Sequence, residues 1–534
     1  MELESARQKV REHNQEQLLR FSADLSNDQL SLLTEDIHNI NFDEINEFWR
    51  QEQSNTAVEQ VEPIKMEPIP PEACGSVLRD KAKLKLWEKI GMERISKGKV
   101  CAVLLAGGQG TRLGVTYPKG MYNIGLLSEK SLYQIQAERL LRLQTIVGEK
   151  YNCQVVIPWY IMTSEDTKNQ SVAFFKENKY FGIDHKQVIF FEQKQVPCLD
   201  FEGKILLKEK HRIAKAPGGN GALYEALELS GVLSDMVSRG IEDIHVYCVD
   251  NVLVKIADPI FTGFCVEKNA DCGNKVVKKL MPSEPVGVFA RVNGEFQIVE
   301  YSELSFEDAE QRDTNGELTF RWGNIAIHYF RIDFLLDVAK KYSSKLPYHS
   351  AKKKIPYVDA DGKMISPSFN SGIKMEKFVF DVFQFSKNLA VLEIVRENEF
   401  APLKNPPGVA KESPYTSRAA VYDLHYRFIL AAGGSVVDKN GYSLPFIPRR
   451  RASDTETSSG VQVEICPSIT YFGEGLEFLK EKKLENNFYL HKKGDDLFVT
   501  QPLHQVMQTI KRPADESYDI ESPSKRERPN DTMN

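Results

Sequence analysis

A glycine-rich stretch near residue 110 has the residue types and spacing best suited to chemistry. Six apolar residues, 100–105, are followed by Gly107, Gly108 and Gly110. An apolar run of strand length that ends at glycines predicts a buried strand leading into an anion-binding loop. Glycine suits such a loop because its backbone amides can approach an anion that a Cβ atom would keep away.

Arg112 and Lys119 would add full positive charges to this loop. The phosphate loop of common NTPases requires G-x-x-x-x-G-K-[ST], which does not occur in the chain. The dinucleotide fingerprint requires G-x-G-x-x-G, whereas Gly108, Gly110 and Gly114 are spaced G-x-G-x-x-x-G. The residues alone therefore predict a phosphate cradle of another kind, with a tight packing turn as the alternative.

The string LAGGQGTRLG, followed by PKGMYNIGL and later by QAERL, resembles the eukaryotic UDP-N-acetylhexosamine pyrophosphorylases. These belong to nucleotidyltransferases with the signature LxGGxGTRLG…PK, which join a sugar 1-phosphate to a nucleoside triphosphate. The resemblance implies an enzyme that forms UDP-N-acetylglucosamine, and UDP-N-acetylgalactosamine as well, with release of pyrophosphate. It implies UTP and an N-acetylhexosamine 1-phosphate as substrates and Mg²⁺, or Mn²⁺, as the cofactor.

Polar residues follow two other apolar runs, where parallel strands would place them beside the glycine loop. Asp250 follows residues 244–249 and could hold Mg²⁺ together with phosphate oxygens, or simply cap a turn. Gln193 follows residues 188–191, and its amide suits the O4 and N3–H edge of uracil. Gln195 is the other candidate for this role. The alternative for Gln193 is an exposed glutamine without a function.

A second glycine turn, at Gly218 and Gly219, precedes Asn220 at the start of a predicted helix. Asn220 could cap that helix, contact the nucleotide, or do both. The resemblance assigns nucleotide contacts to Leu105, Ala106, Gly107, Gly108, Lys119, Gln193, Gly219, Asn220 and Asp250. It assigns catalytic roles to Arg112, Lys119 and Lys374, and the metal to Asp250.

The resemblance also assigns contacts with the sugar, and these fall on a second group of residues. A predicted strand pair carries Gly287 on one strand and Glu300 with Tyr301 on the other, and Asn324 follows further along. These four are implied to contact the sugar, with Lys404 on the phosphate of the product. Lys374 is implied to contact the reacting phosphate. On composition alone, either lysine would be an ordinary solvated side chain.

Composition limits the class of protein. With 534 residues, 41% hydrophobic and 27% charged, the chain is long enough for two or three domains. A net charge of −6 argues against nucleic acid as the main partner. Eight scattered cysteines predict reduced thiols, and the mixed-charge N-terminus and the lack of a long apolar run predict no secretion signal and no membrane span. We therefore expect a cytoplasmic protein and leave a homodimer open.

Strand candidates at residues 155–161, 188–191, 244–249 and 325–330 alternate with helical patterns. This alternation predicts an α/β fold with a mostly parallel, Rossmann-like sheet. The expected order is an N-terminal helical segment with a linker over 51–73 (residues 1–95), a nucleotidyltransferase domain (96–410), a small strand-rich domain (411–505) and a disordered tail (506–534) with basic clusters.

Alternative functions remain on the sequence alone. An enzyme of the same class could use glucose or galactose 1-phosphate. A nucleotide-sugar binding protein could keep the fold without turnover, although the joint presence of Arg112, Lys119, Asp250 and Lys374 argues against this. A scaffold whose N-terminal helices bind partners is a third and weaker hypothesis.

Overall fold

The computed structural model describes residues 2–57, 65–445, 460–494, 496–501 and 506–510. Its helices are α1 Glu2–Glu12, α2 Asn27–His38, α3 Phe42–Ala57, α4 Leu84–Ser96, α5 Leu132–Tyr151, α6 Glu165–Glu177, α7 Leu223–Leu229, α8 Val232–Ser238, α9 Pro259–Glu267, α10 Phe306–Glu310, α11 Ile332–Asp337, α12 Arg396–Glu399 and α13 Pro414–Ala431. Within the described ranges, no helix has the length and apolarity needed to cross a membrane.

The first fourteen strands are β1 Met66–Glu67, β2 Cys74–Ser76, β3 Val100–Leu105, β4 Trp159–Thr163, β5 Val188–Glu192, β6 Gln195–Pro197, β7 Leu207–Glu209, β8 Arg212–Ile213, β9 Lys215–Pro217, β10 Asp243–Cys248, β11 Cys272–Lys278, β12 Val288–Val292, β13 Glu295–Val299 and β14 Trp322–Arg331. The later strands are β15 His349–Lys353, β16 Tyr357–Val358, β17 Met364–Ile365, β18 Gly372–Glu376, β19 Leu389–Glu393, β20 Ser435–Val437, β21 Val463–Ile465, β22 Lys483–Glu485, β23 Phe488–Lys493, β24 Asp496–Gln501 and β25 Val506–Ile510.

The largest sheet follows the order β2-β19-β11-β14-β10-β3-β4-β5. β14 runs antiparallel to β10 and β11, whereas every other neighbouring pair on this path is parallel. β12 branches from the path and pairs antiparallel with β1, β13 and β14. The predicted mostly parallel α/β sheet is therefore confirmed.

Helices cover both faces of this sheet at β3, which is apolar throughout. All six residues of β3 are buried. Because side chains alternate along a strand, Ala102 and Leu104 pack with α4, α5 and α9, whereas Cys101 and Val103 pack with α7 and α8. The glycine loop thus leaves a strand that is fixed from both sides.

The strand predicted over residues 155–161 is wrong in its bounds, because β4 spans Trp159–Thr163. Pro158 has no N–H group to donate to a neighbouring strand, so regular pairing begins after it. Its carbonyl still accepts from the N–H of Ala102 at 3.0 Å. The proline therefore marks the entry into the strand.

The N-terminal helices form one apolar cluster with β6, β7, β8 and β18. A capping box begins α2, since the Ser26 side chain accepts from the N–H of Gln29 and the Gln29 side chain accepts from the N–H of Ser26. The linker predicted to begin at residue 51 begins later, because α3 continues to Ala57. Residues 51–57 contain no glycine or proline that would end a helix.

A smaller, strand-rich C-terminal region contains α13 and strands β20 to β25, and residues of α13 and β20 to β24 share one apolar cluster. Glu464 connects it to the segment before α5, accepting from the N–H of Ser128 at 2.8 Å and from the Ser128 hydroxyl at 2.5 Å. The boundary predicted at residue 505 is too early, since β25 pairs with β24. The remainder of the predicted tail, residues 511–534, lies outside the described residues.

Candidate active site

The carboxyl ends of β3, β4, β5 and β10 meet at one edge of the sheet, beside a cavity of about 570 Å³. The predicted site residues that line it are Leu105, Gly107, Gly108, Lys119, Gln193, Gly219, Asn220 and Lys374. Ala106 lies beneath the loop in the core, and its N–H donates to the carbonyl of Met162 at 2.8 Å. Residues from four separate stretches of the sequence therefore surround a single cavity.

The glycine loop is packed directly against Gln193. A Cβ atom on Gly107 would lie 2.0 Å from Nε2 of Gln193, closer than any side chain tolerates. The carbonyl of Gly107 accepts from the Ser164 hydroxyl at 2.9 Å. Gly108 is exposed, and a Cβ atom there would meet nothing within 4 Å. Gly107 thus makes room for Gln193, whereas Gly108 faces the open cavity.

Gln193 is a buried side chain, only 7% exposed, so the alternative of an exposed glutamine does not hold. The backbone N–H of Gln193 donates to the carbonyl of Thr163 at 2.9 Å, which extends the strand pairing by one residue. Its side-chain Oε1 has no hydrogen-bond partner among the described residues. A buried acceptor without a donor is costly, and a ligand N–H would relieve that cost.

The second glycine turn is shaped by close backbone contacts. Gly219 has φ +85°, and a Cβ atom there would lie 2.4 Å from the carbonyl oxygen of Lys377. Asn220 does not cap the helix that follows it. Its Oδ1 accepts instead from the N–H of Val379 at 2.9 Å. The turn is therefore locked to the segment after β18, and its backbone stays at the cavity wall.

Cationic groups lie around the loop. Lys119 is half-buried, and its Nζ donates to the carbonyl of Leu403 at 3.3 Å. Lys374, on β18, lines the same cavity from another side. Arg112 is an exposed residue of the turn Thr111–Leu113, and its side chain makes no hydrogen bond or ion pair within the described part of the chain. Its guanidinium is free to meet a ligand.

The cavity also contains a thiol, Cys248, at the end of β10. Burial raises its pKa to about 12, with Asp250 adding to the effect and Lys119 and Lys404 opposing it. A thiol with this pKa stays protonated near neutral pH and is a poor nucleophile. The charges of Asp250, Lys119 and Lys404 therefore all act on this thiol.

Asp250 is the predicted metal ligand. Its half-buried carboxylate follows β10, and its backbone carbonyl accepts from the N–H of Leu403 at 2.9 Å. Mg²⁺ takes one or two protein carboxylates and completes its shell with substrate phosphates and water. One carboxylate beside a cationic phosphate cradle fits that donor set.

The predicted sugar residues lie beside the cavity and not in its wall. Gly287 and Glu300 flank the open end of the β12–β13 pair, where a Cβ atom on Gly287 would lie 2.9 Å from Oε1 of Glu300. The N–H of Asn324 donates to the carbonyl of Gly287 at 2.9 Å, and its Oδ1 accepts from the N–H of Ala326 at 3.0 Å. These contacts bring three of the predicted residues together.

Charges dominate this second region. Burial raises the pKa of the Glu300 carboxyl, Glu303 raises it further, and His349 and Lys404 oppose the rise. Tyr301 is 54% exposed. Lys404 has Glu412 as its ion-pair partner at 3.5 Å. Glu300 and Lys404 therefore lie close enough to influence one another.

Sequence reasoning missed other residues of the cavity wall, among them Asp166, Lys215, Glu376 and Phe378. Phe378 stacks on His349, with ring centroids 4.2 Å apart, and so links the cavity to the charged region around Glu300. The position of Lys215, immediately before the APGGNG turn, was the available signal for that residue. No pattern in the sequence singled out the other three.

Comparison with known proteins gives a consistent set of relatives. A family model described as UTP–glucose-1-phosphate uridylyltransferase matches residues 41–410. A Xenopus tropicalis protein named UDP-N-acetylhexosamine pyrophosphorylase-like protein 1 is 46% identical over 92% of this chain and 97% of its own. The Saccharomyces cerevisiae UDP-N-acetylglucosamine pyrophosphorylase is 41% identical over 79% of this chain and 85% of its own.

A solved structure is similar as well. The UDP-N-acetylglucosamine pyrophosphorylase of Trypanosoma brucei, crystallised with an inhibitor, aligns with a TM-score of 0.74 and 30% sequence identity. The alignment covers 89% of this chain and 94% of that protein. The similarity extends well beyond the glycine loop, over most of both chains.

Proposed function

Because the chain belongs to the UTP–glucose-1-phosphate uridylyltransferase family, we propose that it joins UTP and an N-acetylhexosamine 1-phosphate. The products are a UDP-N-acetylhexosamine, such as UDP-N-acetylglucosamine, and pyrophosphate. The relatives that are 40–46% identical carry names with this activity, which supports the N-acetylated sugar.

One observation carries the proposal. A single cavity is lined by the glycine loop, Lys119, Lys374 and the buried Gln193, whose Oε1 has no partner in the described part of the protein. Backbone amides and ammonium groups suit a triphosphate, and the unpaired amide oxygen suits the N3–H of uracil. A cavity with both features is suited to UTP.

The reaction needs no nucleophilic side chain. The phosphate oxygen of the sugar 1-phosphate attacks the α-phosphorus of UTP in line, and the bond to pyrophosphate breaks. The chain contributes position and charge, because charge on the phosphoryl oxygens must be neutralised. Arg112 and Lys119 hold the β- and γ-phosphates and stabilise the leaving group, while Lys374 faces the α-phosphate.

Asp250 is the residue that would hold a divalent cation, which we propose to be Mg²⁺. When bound, the cation supplies charge neutralisation on the triphosphate. The charges of Asp250, Lys119 and Lys404 all act on the Cys248 thiol, which supports a site where cationic side chains lie near the proposed metal ligand.

Glucose 1-phosphate is the second candidate substrate, because the description of the matching family names it. The same cavity would serve both reactions on the nucleotide side. The difference would arise around Gly287, Glu300 and Asn324, where we place the sugar and its N-acetyl group. The sugar hydroxyls would donate to the Glu300 carboxylate.

The test is pyrophosphate release from UTP and Mg²⁺ with the 1-phosphates of N-acetylglucosamine, N-acetylgalactosamine, glucose and galactose. We expect release with the two N-acetylated sugars and little with the others. Release with glucose instead would refute the sugar assignment and keep the nucleotide site. Binding of UTP without release from any sugar would make the chain a binding protein.

A further inference from the structure

Two residues, Gln193 and Lys215, line both the nucleotide cavity and a neighbouring cavity of about 310 Å³. The neighbouring cavity is formed in part by residues 39–45 of the N-terminal helical segment. Gln193 is the residue that we assign to uracil. Lys215 therefore lies at the same end of the nucleotide site, in the wall between the two cavities.

The ammonium of Lys215 is held by the N-terminal segment. Its Nζ donates to Oδ1 of Asp36 on α2 at 2.6 Å. The other oxygen of Asp36 accepts from the N–H of Ile213 at 3.3 Å and pairs with Nε of Arg212 at 3.4 Å. Asp36 is only 4% exposed, whereas the Lys215 side chain is 22% exposed. The carboxylate is therefore buried, whereas the lysine is partly exposed and is the member of the pair that lines the cavity.

We propose that Lys215 binds the uracil end of UTP and that Asp36 is its positioning residue, so that the N-terminal helices form part of the nucleotide site. An ammonium donates and never accepts, so it suits the carbonyl oxygens of uracil. A donor beside Gln193 would also disfavour the amino group of cytosine. The inference rests on the proposed use of UTP.

A second ion pair provides the matched control. Glu44 on α3 accepts from Nζ of Lys377 at 3.2 Å, and so also joins the N-terminal segment to the catalytic domain. The Lys377 ammonium donates to the carbonyl of Ser343 at 3.3 Å and lies 4.5 Å from the Tyr348 ring centroid. Lys377 does not line the nucleotide cavity. This pair connects the same two parts of the protein without facing the ligand.

The experiment compares Lys215→Met, Asp36→Asn, the double variant and Glu44→Gln in the full chain. We expect Lys215→Met to raise KM for UTP about 10-fold, the scale of a lost hydrogen bond to a charged group, while kcat stays within about twofold. Asp36→Asn should raise KM for UTP about threefold alone and not at all in the Lys215→Met background. Glu44→Gln should lower the unfolding temperature only.

Two results would overturn the inference. One is an unchanged KM for UTP in Lys215→Met, and the other is an Asp36→Asn effect that is equally large with and without Lys215. Asp36→Glu, which keeps the carboxylate, should have a KM for UTP close to that of the unmodified protein. A KM effect of Asp36→Asn that came only from lost packing would not be reversed in this way. If Asp36→Asn fails to fold, Lys215→Met still decides, because Asp36 keeps Arg212 as a partner. Failure of the wild-type chain to bind UTP would instead refute the proposed function.

Discussion

The nucleotide side and the sugar side of the site hold their polar groups by different means. Gly107 and Gln193 are buried, follow strands of the parallel sheet, and contact each other so closely that a single added carbon would collide. Glu300, Tyr301 and Lys404 lie in loops, where opposite charges and partial exposure set their positions. We therefore expect the nucleotide side to respond to shape and the sugar side to respond to charge.

Substitution of Arg112 is the strongest test of this difference between the two sides. Arg112 is an exposed cation on the nucleotide side, which otherwise depends on shape. We expect Arg112→Ala to lower kcat/KM by about 10²–10³-fold, since it removes a group that stabilises the leaving pyrophosphate. The unfolding temperature should not change, because the guanidinium has no partner among the described residues. Arg11→Ala, at another exposed arginine, on α1, is the control for loss of surface charge. Turnover near that of the unmodified protein would refute the role of Arg112.

Gly107→Ala tests the dependence on shape directly. The new Cβ atom would lie 2.0 Å from Nε2 of Gln193, so the side chain or the loop must move. A shift of about 1 Å at a reacting site lowers the rate about 10²-fold. We therefore expect Gly107→Ala to lower kcat/KM for UTP by about 10²-fold. Gly108→Ala, whose Cβ atom would meet no protein atom within 4 Å, should leave the unfolding temperature unchanged. Equal loss of stability in both variants would contradict the packing argument.

Glu300→Ala tests the sugar side. We expect KM for the sugar 1-phosphate to rise about 10-fold, because the sugar hydroxyls lose a charged acceptor, while KM for UTP stays within about twofold. Gly287→Ala should act in the same direction, since its Cβ atom would lie 2.9 Å from Oε1 of Glu300. Initial rates with each substrate varied in turn measure both constants. A parallel rise in KM for UTP would show that the two sides are not separable.

Gln193→Ala asks whether the buried amide reads the base. We expect the ratio of kcat/KM for UTP to that for CTP to fall about 10-fold, because the acceptor for N3–H is lost. Gln195→Ala is the matched control, since Gln195 lies on β6 and does not line the nucleotide cavity. An unchanged ratio in Gln193→Ala, or an equal fall in Gln195→Ala, would remove Gln193 from the base-reading role.

The glycine loop could be located from the sequence because its parts are contiguous. An apolar run and the glycines after it are adjacent in the chain, so one pattern defined both β3 and its loop. The strand ends at Gln193 and Asp250 followed from the same rule. The bounds of β4 were wrong because apolarity continues across Pro158, where strand pairing does not.

The sugar side and the Asp36–Lys215 pair depend on contacts between distant parts of the chain. Asp36 and Lys215 are 179 residues apart, and a buried aspartate on a helix has the same sequence pattern as an exposed one. Glu300 and Lys404 come from different loops. Periodicity describes which face of an element is buried and does not specify which loops meet, so these pairs required the folded chain.

His349 gives the smallest expected effect and tests the role of charge near the sugar. Burial disfavours its protonation, but the hydrogen bond from its Nε2 to Asp381 at 3.1 Å and the charges of Asp381, Glu303 and Glu300 outweigh burial, so its pKa is raised. A raised pKa in the folded state adds stability below the ordinary histidine pKa of about 6.5, and this stability is lost as pH rises through the folded value. His349→Gln should therefore lower the free energy of unfolding by about 1 kcal/mol or less at pH 5.5 to 6 and by less at pH 8.5. Urea unfolding of both proteins across that range measures the difference, and a difference that does not change with pH would mean that His349 acts through its stacking on Phe378 alone.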